Sequence, residues 1–167
     1  MLDDGLPRRS EVIMPATHFI TAPTFHRKRV FQNELFGEAL TVALMHWRQQ
    51  NALLLHDYVI MPDHVHLLIT APDNLDVSAA VHELLHGFAE DLSRQYGYGG
   101  RVWEPQFRDR EVHNAEECAE CVRMIHSNPV RVGFCDQPGE YRMSSRSSRW
   151  MLDPTPEFLR RAPRQSA

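Results

Sequence analysis

The stretch LLLHDYVIMPDHVHLLITAP, residues 53–72, constrains the fold most. Two short apolar runs, rich in β-branched residues, are broken by Met61-Pro62-Asp63. Proline has no N–H to give to a ladder, so the break reads as a turn between two strands. His64 and His66 then stand at the start of the second strand. Residues i and i+2 of a strand project to one face, so both imidazoles can point to one ion while Val65 points away. The competing reading is two histidines on the polar face of an edge strand.

Around this pair, HFITAPTF alternates as a strand does, and NELFGEALTVALMHWRQQN repeats apolar residues at helical spacing from Leu35 to Trp47. From about Leu75 to Tyr96 a second helix carries Val77, Ala80, Val81, Leu84, Leu85, Phe88 and Leu92 on one stripe, with Asp76 or Ser78 as N-cap and GYGG as its end. VWEPQFRDREVH reads as extended. NAEECAECVRMIHSN reads as a helix capped by Asn114 and closed by Pro129. The order β α β β α β α predicts an α+β sandwich with helices on one face of an antiparallel sheet. Residues 1–15 are expected as a flexible lead-in, 16–150 as the domain and 151–167 as a tail.

The formal charge of -4 opposes binding nucleic acid by overall charge, although a local basic face would be hidden in that sum. Three cysteines, no leader and no apolar run near twenty residues predict a reduced, soluble, cytoplasmic protein without membrane contact. Cys118 and Cys121 fall on one face of the last helix, without the turn of a zinc knuckle; Cys135, His113 or His126 could complete a zinc site, against the plainer reading of a reduced core.

HELLH, residues 82–86, matches the zinc-protease signature: His82 and His86 one helical turn apart, Glu83 activating water. No third ligand follows at a familiar spacing, and Leu84 and Leu85 belong to the core stripe. A histidine pair on an amphipathic helix is the plainer reading, with a zinc peptidase as a third functional option.

YVIMPDHVHLLI, then IHSNPVRVGF and PGEYRMSSR, together with GRVWEPQFRDREV, resemble the REP-associated tyrosine transposases of the HUH superfamily of single-strand DNA nucleases. The likeness runs from about HFITAPTF to SSR. It implies a ferredoxin-like fold and a divalent cation, Mg²⁺ or Mn²⁺, on His64, His66 and Asn128. It also implies single-stranded or hairpin DNA as partner, strand cleavage and rejoining as the ancestral reaction, and a homodimer. His126 would support Asn128.

The family's nucleophilic tyrosine would stand at Met124, and a thioether cannot attack phosphorus. Tyr96 and Tyr98 could substitute only by a loop folding back, and Tyr58 and Tyr141 fall in segments without that role. An inactive or domesticated DNA binder is therefore the main alternative, and water as nucleophile another. The expected phosphate contacts are Arg27, Lys28, Arg29, Arg108, Arg110, Arg123 and Arg131, with Arg142 and Arg146. Trp103 and Phe107 could stack on unpaired bases or lie in the core.

Overall fold

The computed structural model describes residues 15–160. In chain order the elements are β1 (Ala16–Pro23), α1 (Glu34–Gln50), β2 (Leu54–Met61), β3 (His64–Ala71), α2 (Val77–Tyr96), β4 (Arg108–Glu111), α3 (Ala115–Arg131) and a one-turn α4 (Glu157–Arg160). The strands form one antiparallel sheet in the order β2-β3-β1-β4, so the βαββαβ core has the ferredoxin-like arrangement, with α3 added after it. The lead-in expected over residues 1–15 lies, apart from Pro15, outside the described residues.

Capping follows from the sequence. Asn33, Asp76 and Asn114 each accept a backbone N–H of the first turn, and Gly97 ends α2 at φ 67°, in the left-handed region that glycine enters without a Cβ penalty. Pro62 and Asp63 form the two-residue link between β2 and β3, which sets the register Met61 opposite His64.

Helices cover both faces of the sheet, which corrects the one-face expectation. Ile20, Tyr58, Ile60, Val65, Leu67 and Ile69 pack with Leu40, Leu44, Val81 and Phe88 of α1 and α2. Phe19, Val59, Met61 and Leu68 pack with Cys118, Cys121 and Ile125 of α3. The physical reason is that β2 and β3 are buried at nearly every position, so both faces need an apolar partner. Pro129 does not close α3 either, since the helix runs to Arg131. Its missing N–H removes one bond near the end of the helix, where Val132 still donates to the Asn128 carbonyl.

Residues 151–160, expected as part of a tail, pack on the domain. Asp153 accepts from Arg48 Nη2 at 2.6 Å and from the Leu55 N–H at 2.9 Å, and Leu159 is buried beside α3. With Met143 and Ser145 bonded to the backbone of Ile60 and Tyr58, this returning segment covers the outer edge of β2. Among the described residues no strand pairs with the outer edge of β4, and all four residues of β4 are exposed.

Candidate metal and nucleic-acid site

His64 and His66 project from β3 toward α3. Their ring centroids are 4.7 Å apart with planes at 77°. Each ring is held by a neighbour. Asp63 Oδ1 lies 2.7 Å from His64 Nδ1, which orients that imidazole with Nδ1–H donating to the carboxylate and the Nε2 lone pair turned to α3. There the Asn128 amide donates to His64 Nε2 at 3.0 Å, from a side chain only 3 % exposed. His66 Nδ1 is 2.9 Å from the Thr21 hydroxyl of β1, and its ring stacks on Phe19 at 5.2 Å.

Burial pushes both imidazoles toward the neutral form. For His66 the pKa falls to about 3, first through desolvation and then through His64, Arg131 and Arg27. For His64 desolvation also lowers it, opposed by the Asp63 carboxylate. A neutral imidazole keeps the lone pair that a cation needs. Two ring nitrogens and a buried amide form a mixed donor set that suits a divalent ion with positions left open once the Asn128 amide turns its oxygen, in place of the N–H that meets His64 Nε2, toward the ion. The residues present therefore fit a cation.

Sequence reasoning missed Asp57, which fixes α3 over this pair. A bulge between Leu55 and Asp57 turns Asp57 to the α3 face while Leu55 points to the other. Its buried carboxylate meets His126 Nε2 at 2.7 Å, accepts from the Tyr58 N–H at 3.1 Å and contacts the Ser145 hydroxyl. His126 thus supports Asn128 through the helix rather than by touching it. The polar pair His56-Asp57 inside an apolar strand was the available signal. The bulge residue His56 lies 2.7 Å from the Thr70 hydroxyl.

The expected cations divide. Arg27 is 3.5 Å from Asp63, and the charges of Arg27 and Arg131 both act on the histidine pair. Arg108 and Arg110 stand opposite Thr21 and Phe19, on the face that carries His66; Arg110 also lies over the Phe19 ring and bonds Glu120 and Cys121. Arg29 covers Phe134 just beyond α3, Lys28 lies 5.9 Å over Phe25, and Arg123 is exposed on α3. Arg142 is instead paired with Glu34 and Glu38 of α1, away from the histidines, and Arg146 is exposed on the returning segment.

Met124 is 39 % exposed, one helical turn before Asn128. No tyrosine takes its place. Tyr96 and Tyr98 pack edge-on against Phe36 of α1, on the other side of the sheet, so the loop does not fold back. Tyr58 is 1 % exposed on that same side. Tyr141 donates to the Ile60 carbonyl at 2.9 Å, and burial pushes its pKa up to about 12.

Among the described residues, no group of three His, Cys, Asp or Glu side chains is placed to hold a metal. His82 and His86 are exposed on α2; His82 packs edge-on against Phe107 and His86 approaches Glu90. Glu83 is exposed beside them. Cys118 and Cys121 are buried in the core beneath α3, with thiol pKa values raised by burial, and His113 faces Glu111.

Comparison with known proteins places these features in a family context. The family described as "Transposase IS200 like" matches residues 14–127, a span that includes the histidine pair. The REP-associated tyrosine transposase of Escherichia coli (strain K12) is 22 % identical over 138 residues, covering 82 % of this chain and 80 % of that protein. A solved structure of a REP-associated tyrosine transposase bound to a REP hairpin is similar at TM-score 0.67 and 22 % identity, over 84 % of this chain and 82 % of the other. A putative transposase from Deinococcus radiodurans is similar at TM-score 0.55 and 21 % identity, over 69 % and 92 %. Among the described residues, no helix is long and apolar enough to cross a membrane.

Proposed function

Because the chain belongs to the IS200-like transposase family, we propose that it binds hairpin DNA at the His64, His66 and Asn128 site without forming a covalent link to it. The supporting observation is the pairing of an oriented, neutral histidine pair with a face that offers arginines but no tyrosine hydroxyl. Arg27, Arg108, Arg110 and Arg131 flank the pair and suit the phosphates of a strand crossing β3 and β1. The hairpin as ligand follows the relative whose structure carries a REP hairpin.

His64, His66 and Asn128 would hold the divalent cation, Mg²⁺ or Mn²⁺, which when bound would draw charge from a phosphate oxygen. The chain's own part is to orient: Asp63 and Thr21 fix the two rings, and the Asp57–His126 contact fixes the helix that brings Asn128. Met124 offers no proton to lose and no lone pair able to attack phosphorus. The protein then acts as a structure-selective DNA binder built on a transposase frame.

The test incubates the protein with Mn²⁺ and a labelled hairpin carrying unpaired flanks, beside a plain duplex of equal length. Native gels should show preference for the hairpin, and denaturing gels should show neither a protein–DNA adduct nor a nick. A covalent adduct would establish retained tyrosine chemistry, and a nick without adduct would point to water as nucleophile. Equal affinity for the duplex would remove the hairpin reading.

A further inference from the structure

The HELLH helix face lines a cavity that the histidine–asparagine site does not use. About 270 Å³ lies between α2 and the segment entering β4, bounded by His82, Leu85, Trp103 and Phe107, with Arg101 at its side. The walls are flat rings: His82 and Phe107 have centroids 5.0 Å apart, and Trp103 packs on Phe31 and Phe88 beneath. Among the described residues, the Trp103 indole N–H is the sole buried side-chain polar atom without a hydrogen-bond partner, and Trp103 is 8 % exposed. A cavity walled by aromatic rings suits a flat ligand.

We infer that this cavity receives one unpaired nucleobase of the DNA strand that flanks the hairpin. The inference rests on the DNA-binding reading above and adds where an unpaired base is held. Continuity with the candidate site supports it. Phe107 is followed by Arg108, Arg108 stands opposite Thr21, and Thr21 holds His66. Among the described residues nothing pairs with the outer edge of β4, which is exposed along its length, so a single strand can pass from the His66 face over that edge to the cavity.

Charge complementarity supports the same occupant. Arg101 lines the cavity with its guanidinium 4.8 Å over Phe25, and the one acid in the lining, Glu104, accepts from the His26 N–H. The Arg101 cation at the rim suits the phosphate attached to a base whose ring is inside. Base stacking on aromatic side chains is sequence-tolerant, so the cavity selects an unpaired base by its π-face. This gives His82 and His86 a place in a binding wall rather than in a zinc site.

The test measures equilibrium affinity of the full-length protein for hairpins whose single-stranded flank carries an abasic site at each position in turn. Each value is set against the same protein's affinity for a blunt hairpin, and His82→Ala and Phe107→Leu are measured alongside the native chain. One flank position should cost the native protein about tenfold when abasic, and that same loss should be absent in both variants. His82 is exposed, so His82→Ala leaves the core intact if Phe107→Leu fails to fold. Indifference to abasic sites at every position, or an undiminished loss in His82→Ala, would overturn the cavity proposal alone. Failure of the native protein to bind any hairpin would overturn both it and the reading on which it rests.

Discussion

His64 and His66 owe their chemistry to burial as much as to identity. Both pKa values lie below the ordinary 6.5, and His56 is lowered too, in each case first by desolvation. In metal-free protein the unfolded chain takes up protons below about pH 6.5 that the folded chain refuses, for His66 down to about 3. Stability therefore falls as pH falls through that window. Urea midpoints at pH 7 and pH 4.5 should differ less in His66→Asn than in the native protein; an equal or larger difference would place the proton uptake elsewhere. Met124 is the second decisive residue. Met124→Tyr places a phenol one turn before Asn128, and we expect an adduct with hairpin DNA that the native protein does not form, read on denaturing gels with Mn²⁺. Absence of adduct in that variant would mean that more than the nucleophile has been lost. The histidine doublet and Asn128 were legible in the sequence because strand alternation and the IHSNP motif locate them. Asp63 and Thr21 were not, since a ring's hydrogen-bond partners depend on a turn and a cross-strand neighbour that no local pattern states.

At the level of elements, α3 is set by a contact that begins with an irregularity in β2. The bulge at His56 turns the Asp57 carboxylate to the helix, where it meets His126. His126→Ala leaves that buried carboxylate short of one partner and should cost about 1–3 kcal/mol of stability. It should also weaken Mn²⁺ affinity although His126 touches no candidate ligand, a split that calorimetry beside thermal unfolding can resolve. If stability falls while Mn²⁺ affinity is unchanged, His126 is structural only. The helices, their caps and the β2–β3 turn could be read from periodicity and punctuation. The extent of α3 past Pro129 could not, because proline near a helix end removes only one bond and the chain continues for two residues. Nor could the packing of residues 151–160, which depends on Asp153 meeting Arg48 and the Leu55 backbone far away in the chain.

For the whole molecule, a net charge of -4 coexists with a group of arginines near the histidine pair, of which Arg27 meets Asp63 and Arg110 meets Glu120, while Arg142 is paired with Glu34 and Glu38 elsewhere. Composition reports only the sum, so this placement was not legible before the fold. Arg131→Ala should reduce the salt dependence of hairpin binding, lowering the slope of log K against log salt by about 0.7–0.9; an unchanged slope would remove Arg131 from the phosphate contacts. The placement of helices on both faces likewise emerged only with the sheet, since an apolar strand does not state which helix covers which side. The measurement that tests the account most directly is hairpin affinity in Mn²⁺ and in chelator, for the native protein and for His64→Ala combined with His66→Ala. The native protein should bind more tightly in Mn²⁺ than in chelator, and the variant should show no difference between the two conditions. Equal native affinity in Mn²⁺ and chelator, or a metal effect that survives loss of both histidines, would contradict it.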